Sequence, residues 1–110
     1  MKRSIILSLA ITFLAAPASG FKQENLDKLK ATNACEMCDL RETYLREANL
    51  FRTYLREANL SNADLTGAEL NFADLSDSDL TGADLSDSDL TGTTFCNTTM
   101  PDGSVNNADC

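Results

Sequence analysis

Hydrophobic and polar positions alternate along this chain with a period that suits neither a helix nor an ordinary strand. Leucine stands at every fifth position from Leu40 to Leu90, eleven in succession, and Phe95 and Met100 extend the register. Two residues before each leucine is a small side chain, as at Thr43, Ala48, Ala63, Ala73, Ser78 and Ser88. Between the two sits an acid or amide in most units, as at Asn49, Asn59, Asp64, Asp74, Asp84 and Asp89. The two residues after the leucine are polar or glycine, as in Thr66-Gly67 and Thr81-Gly82. A helix turns by about 100° per residue, so a step of five would smear the leucines around its cylinder. The Asp, Asn, Ser and Gly content also disfavours helix. In a short extended segment, by contrast, alternate residues face the same way. The leucine and the small residue then point inward, the acid between them points out, and the following pair suits a tight turn. Five residues make one straight side and one corner. If each corner turns the chain by about a right angle, four units close a square coil of twenty residues. Stacked coils would pair at about 4.8 Å, as in a parallel sheet.

The units "ANLSN", "ADLTG", "AELNF", "ADLSD" and "SDLTG" resemble the pentapeptide-repeat family, whose pattern is A(D/N)LXX. The likeness covers residues 36–100. It implies an all-β fold: a right-handed quadrilateral β-helix with four repeats per coil, here roughly three and a half coils. The segments "ACEMCDL" and "FCNTTMPDG" resemble exported members from photosynthetic bacteria and the thylakoid lumen. Departures from the pattern mark particular places. Tyr44 and Tyr54 replace the usual Asp or Asn, and Phe51 and Phe72 occupy positions expected to face solvent. After Phe95 the pattern decays, and Pro101-Asp102-Gly103 reads as a turn that stops the solenoid. Upstream, Phe21, Leu26 and Leu29 stand at helical spacing, so a short helix is expected to cover the open end of the first coil, as a repeat stack requires. The expected organisation is a signal at 1–20, a helical cap at 21–35, the β-helix at 36–100 and a turn with a disulfide cap at 101–110.

The charge and the cysteines decide the compartment. Lys2 and Arg3 precede a mostly apolar stretch, and Ala16-Pro17-Ala18-Ser19-Gly20 follows with small residues. This is the layout of a cleaved secretory signal, with an apolar run too short to span a bilayer. Export to the periplasm or the extracellular space is expected, or to the thylakoid lumen in a photosynthetic source. Loss of Lys2 and Arg3 takes the formal charge from −8 to −10. Residues 21–60 hold seven bases and seven acids, whereas residues 61–110 hold ten acids and no base. Such a half repels phosphate and acidic headgroups, so neither nucleic acid nor membrane is an expected partner of the mature chain. A monomer with a protein partner is expected. In an exported chain Cys35, Cys38, Cys96 and Cys110 are expected to be oxidised, with three connectivities open. Two lie near each end and none between Cys38 and Cys96. This favours terminal staples, Cys35 with Cys38 and Cys96 with Cys110. A redox reading of Cys35-Glu36-Met37-Cys38 lacks its βαβ context, and a zinc site needs four ligands.

Candidate chemistry is sparse. There is no His, which removes the commonest general base and metal ligand. No phosphate loop or nucleophile elbow is present. The carboxylates are expected on outward faces, away from any cleft that would shift their pKa values apart. No enzyme activity, cofactor or metal is expected. Arg41, Arg46, Arg52 and Arg56 should ring the first coil, with Glu42, Glu47 and Glu57 beside three of them for pairing. Arg52 should stack against Phe72, twenty residues on, with a cation–π contact possible in that register. Phe51, Arg52 and Phe72 are therefore the expected protein-binding surface. Asp64 over Asp84, Glu69 over Asp89 and Glu57 over Asp77 should form like-charge stacks, with one carboxylate in each pair titrating higher when folded. "ADLSDSDLTG" occurs at 73–82 and again at 83–92, half a coil apart, which shifts each copy to the opposite face. Core packing tolerates that, whereas a long patterned face does not. The expected function is thus an exported non-enzymatic scaffold or protein-binding module. One alternative borrows from family members that mimic DNA as acidic rods and inhibit gyrase, although export contradicts it. Another is an acidic calcium-binding solenoid, which lacks the glycine-rich nonapeptide of such sites.

Overall fold

The computed structural model describes residues 21–110; the expected signal at 1–20 lies outside the described residues. The five-residue unit is realised as a three-residue rung followed by a two-residue corner. Ten isolated parallel bridges join residues twenty apart, from Ala34 with Tyr54 to Asp79 with Thr99, one every five residues. Each rung is too short to form a conventional strand, yet in the interior of the stack its backbone is fully used. The leucine amide donates to the carbonyl nineteen residues later: Leu40 to Asn59, Leu45 to Asp64 and Leu60 to Asp79, each at 2.8 Å. The outward residue returns the bond, Asp64 to Thr43, Glu69 to Ala48 and Asp84 to Ala63, each at 2.9 Å. The result is a β-helix solenoid.

At each corner the amide after the turn donates back to the leucine carbonyl, as from Ala48 to Leu45 and Ala63 to Leu60, both 3.1 Å. Only the second corner residue has positive φ, for example Glu47 at 57° and Asn62 at 58°. That is the signature of a type II turn, which glycine fits without strain. Glycine occupies the position at Gly67, Gly82 and Gly92, and side-chain-bearing residues occupy it elsewhere.

The core is a column of leucine and small residues. Leu40 and the leucines from Leu55 to Leu80 are fully buried, and Thr43, Thr53 and Ser78 lie among them. Their hydroxyls are satisfied by the corner carbonyls: Thr43 donates to Leu40 and Thr53 to Leu50, both at 2.9 Å. This is why Thr and Ser can stand in for Ala at a dry position.

Helix α1 (Gln23–Thr32) lays Leu26 and Leu29 onto the first coil. It ends at Asn33, whose left-handed backbone (φ 61°) lets its amide donate to Leu29, a C-terminal cap. Asn33 Nδ2 then donates to the Phe51 carbonyl at 3.0 Å, and Asn25 Oδ1 accepts the Asp39 amide at 2.7 Å. The ladder starts at Ala34, inside the stretch read from sequence as cap. Cys35 and Cys38 stand five residues before Leu40 and Thr43, and both are buried as those residues are. The Cys35–Cys38 disulfide therefore occupies the inward positions of the first unit. At the other end a hairpin of β1 (Thr98–Thr99) and β2 (Val105–Asn106) folds back antiparallel. The Cys96–Cys110 disulfide closes it. Among the described residues no helix is long and apolar enough to cross a membrane.

Candidate interaction surface

Phe51 and Phe72 come from corners one coil apart, and the twenty-residue register brings them together. Their ring centroids are 5.8 Å apart at 85°, an edge-to-face contact of the kind aromatic quadrupoles favour. The Arg52 guanidinium carbon lies 5.2 Å from the Phe51 centroid and 5.5 Å from that of Phe72. One cation thus bridges two rings, within the reach of a cation–π attraction. Both rings stay exposed, at 42% and 52%. Phe72 and Arg52 also hold positive φ, 60° and 58°, where a bulky side chain is an outlier. One coil further on is Gly92, where a Cβ would meet the Phe72 ring at 2.5 Å. The ring therefore lies across a glycine that leaves room for it. The column spacing of 52, 72 and 92 carried this signal, but glycine there reads equally well as an ordinary turn residue.

The remaining arginines are placed differently from the sequence expectation. Arg41 pairs with Asp39 at 2.8 Å, Arg46 with Asp64 at 3.6 Å, and Arg56 with Asp74 at 3.7 Å and Asp77 at 3.6 Å. None of these pairs uses Glu42, Glu47 or Glu57. Arg41 turns back to the acid two residues before it, whereas Arg46 and Arg56 take the acid that the rung below offers. Asp64 lies under Tyr44 and Asp74 under Tyr54, so the duplicated "TYLRE" builds the same arrangement twice, in different columns.

The outward Asp and Asn residues do more than face solvent. Each reaches forward two residues and clamps the corner. Asp64 Oδ1 accepts the Thr66 amide at 3.1 Å and its hydroxyl at 2.7 Å, and Asp84 binds Ser86 at 3.0 and 2.6 Å. Asp74 with Ser76 and Asn59 with Ser61 repeat the pattern. These bonds hold the carboxyls of Asp64, Asp84 and Asp89 below the usual range, through the hydroxyl and then the amide two residues on. At Asp39 the Arg41 side chain is the main cause. At Asp74 burial pushes upward, but the Ser76 bonds and Arg56 outweigh it. The like-charge stacks are present in register, Asp64 with Asp84 and Glu69 with Asp89. The expected upward shift is overturned in the Asp64–Asp84 pair, where both carboxyls are held down, because a short bond to each carboxylate outweighs a solvent-screened neighbour.

Cys35–Cys38 and Cys96–Cys110 are both at disulfide distance, which matches the terminal staples read from the sequence. Among the described residues no group of three or more Cys, Asp or Glu side chains converges as metal ligands would.

A family model for pentapeptide repeats matches the chain in eight copies, over residues 43–82 and 78–109. Among solved structures the chain is similar to HetL, a pentapeptide repeat protein involved in heterocyst differentiation regulation from the cyanobacterium Nostoc sp. strain PCC 7120. The TM-score is 0.65 with 33% identity, covering 66% of this chain and 34% of that one. It is also similar to a pentapeptide repeat protein from the Arabidopsis thaliana thylakoid lumen, at 31% identity and TM-score 0.34. That match covers 56% of this chain and 46% of the other. The chain thus spans less than half the length of either protein. No curated protein is significantly similar in sequence. The five-residue ladder, the type II corners and a family model that covers most of the chain agree, and the chain belongs to the pentapeptide repeat family.

Proposed function

We propose that this chain is an exported, non-enzymatic repeat scaffold that binds a protein partner at the corner formed by Phe51, Arg52 and Phe72. The scaffold is a right-handed, four-sided coil of about three and a half turns, the form implied by four five-residue units in each twenty-residue repeat. The carrying observation is the cation held between two exposed rings. Among the described residues Arg52 has no carboxylate within ion-pair distance, unlike Arg41, Arg46 and Arg56. Aromatic and arginine side chains are enriched at the energetic centres of protein interfaces. Export is supported by the layout of residues 1–20 and by the paired cysteines.

Two experiments test this reading. Crosslinking in the exported fraction should recover one reproducible protein with the wild-type chain and lose it with Phe51→Ser/Phe72→Ser. Recovery that survives the double substitution, or no recovered protein, removes the corner as a binding surface. Intact mass of the exported protein should show a start at Ser19 or Phe21, and retention of residues 1–18 would remove the cleaved signal.

A further inference from the structure

Among the described residues the last coil is only half capped. Between Ala34 and Met100 every interior rung is bonded on both sides, but the final four rungs differ from one another. The hairpin serves two of them: Asp109 accepts the Phe95 amide and returns its own to the Phe95 carbonyl, both at 2.8 Å. Asn107 Oδ1 accepts the Asn97 amide at 2.7 Å, and Met100 donates to Ser104 at 2.7 Å. The two rungs before them have no such cover. The amides of Leu85, Asp87, Leu90 and Gly92 occupy the positions that donate to the next coil everywhere else, and they find no acceptor among the described residues. The carbonyls of Ala83 and Ser88, which would take the return bonds, are likewise unused. Leu85 and Leu90 are only partly buried, whereas Leu65 and Leu70 above them are fully buried. This is a sheet edge of two rungs, with an unmet hydrogen-bond pattern and an apolar strip beside it.

We infer that this edge binds an extended, cationic segment of a partner protein, which adds a further pair of rungs. The ladder rules fix what such a segment must present. In the interior, the outward residue of each added rung sits in bridge opposition to the outward residue before it, as Asp84 does to Asp64. The outward residues here are Asp84 and Asp89; residues 61–110 contain no base, and the one cation that acts on either is Arg46 of an earlier coil, on Asp84. A guest with Lys or Arg at these two positions, five residues apart, would stack one cation on each aspartate at about 4.8 Å. Apolar residues just after each cation would seat on Leu85 and Leu90. Backbone pairing supplies the affinity and the alternate side chains the selection, as in other strand-addition complexes. A second copy of this chain meeting tail to tail would bring the acidic halves together and is disfavoured by repulsion. The same acids can also act simply as guards that keep an open edge from self-pairing, and the test separates the two roles.

The probe is a labelled peptide, Ala-Lys-Leu-Thr-Gly-Ala-Lys-Leu-Thr-Gly, with a control in which both lysines are aspartates. Titration should give saturable binding for the lysine peptide, at least about tenfold weaker for the control, and weakened by added salt. Amide exchange should slow at Leu85, Asp87, Leu90 and Gly92 and leave the interior amides unchanged. Asp84→Lys/Asp89→Lys, checked for an unchanged circular dichroism spectrum, should reverse the preference between the two peptides. Phe51→Ser, which removes the ring of the aromatic corner that does not lie on Gly92, should leave peptide binding intact and so keep this edge distinct from that corner. No saturable binding, or protection at other amides, or indifference to the charge reversal would overturn the proposal and leave the acids as edge guards.

Discussion

At the residue scale, the feature that most distinguishes this molecule is the work done by the position before each leucine. A carboxylate or amide there accepts the amide two residues on and fixes the corner, so the Asp/Asn preference is a turn preference and not a surface one. Asp74→Ala should therefore lower stability by about 1 kcal/mol, the net value of a lost bond that leaves a corner amide unmet. Chemical denaturation measures it, and an unchanged midpoint would show that the clamp is dispensable. The second corner residue gives a prediction of opposite sign. Asp87 holds φ 59° with an exposed side chain, so Asp87→Gly should stabilise by about 1 kcal/mol by removing the left-handed penalty. A loss of stability on that change would mean that the Asp87 side chain contributes more than its backbone costs.

At the element scale, the rungs and corners were legible because one pattern serves every unit. Leucine at a strict period of five specifies the inward column, and the small residue two before it is what the narrow interior admits. Leu65→Ala and Leu75→Ala should each cost about 2–5 kcal/mol, as truncations at fully buried positions. Leu90→Ala, at the half-open end, should cost clearly less. Equal losses at Leu75 and Leu90 would contradict an open last coil. What the sequence did not reveal lay in the exceptions. Cys35 and Cys38 fall in the leucine and small-residue register, yet they read as a separate staple because neither residue type belongs to the repeat pattern. The partners of Arg46 and Arg56 were not legible because adjacency along the chain competes with adjacency across coils, and side-chain reach in the folded stack decides between a corner neighbour and the rung below. The Phe51–Arg52–Phe72 cluster was visible because it depends on the twenty-residue register alone.

At the scale of the whole molecule, stability is distributed between an uncharged column inside and an acid-rich surface outside. The Cys96–Cys110 loop of about fifteen residues is worth about 3 kcal/mol in the chain-entropy picture, so Cys96→Ser/Cys110→Ser should lower the thermal midpoint and free the hairpin first. The surface acids set the response to pH. Asp39, Asp64, Asp74, Asp84, Asp89 and Asp102 all have carboxyls held below the usual range in the folded chain. A group whose folded pKa is depressed leaves the unfolded state binding more protons, so stability rises with pH across that interval. The contribution is present above the unfolded value of about 3.9 and is lost as pH falls through the lower folded values. The thermal midpoint in low salt should therefore stay nearly level between pH 7.5 and pH 5 and drop steeply below about pH 4. Repulsion between stacked carboxylates, had it governed these groups, would instead raise the midpoint on acidification from pH 7.5 to pH 5. Calorimetry across that range distinguishes the two, and a rising midpoint would show that like-charge stacking outweighs the corner clamps. Removing one clamp sharpens the test. Ser86→Ala takes away the hydroxyl that depresses Asp84, so the titration of Asp84, followed by NMR, should move upward while that of Asp89 stays in place.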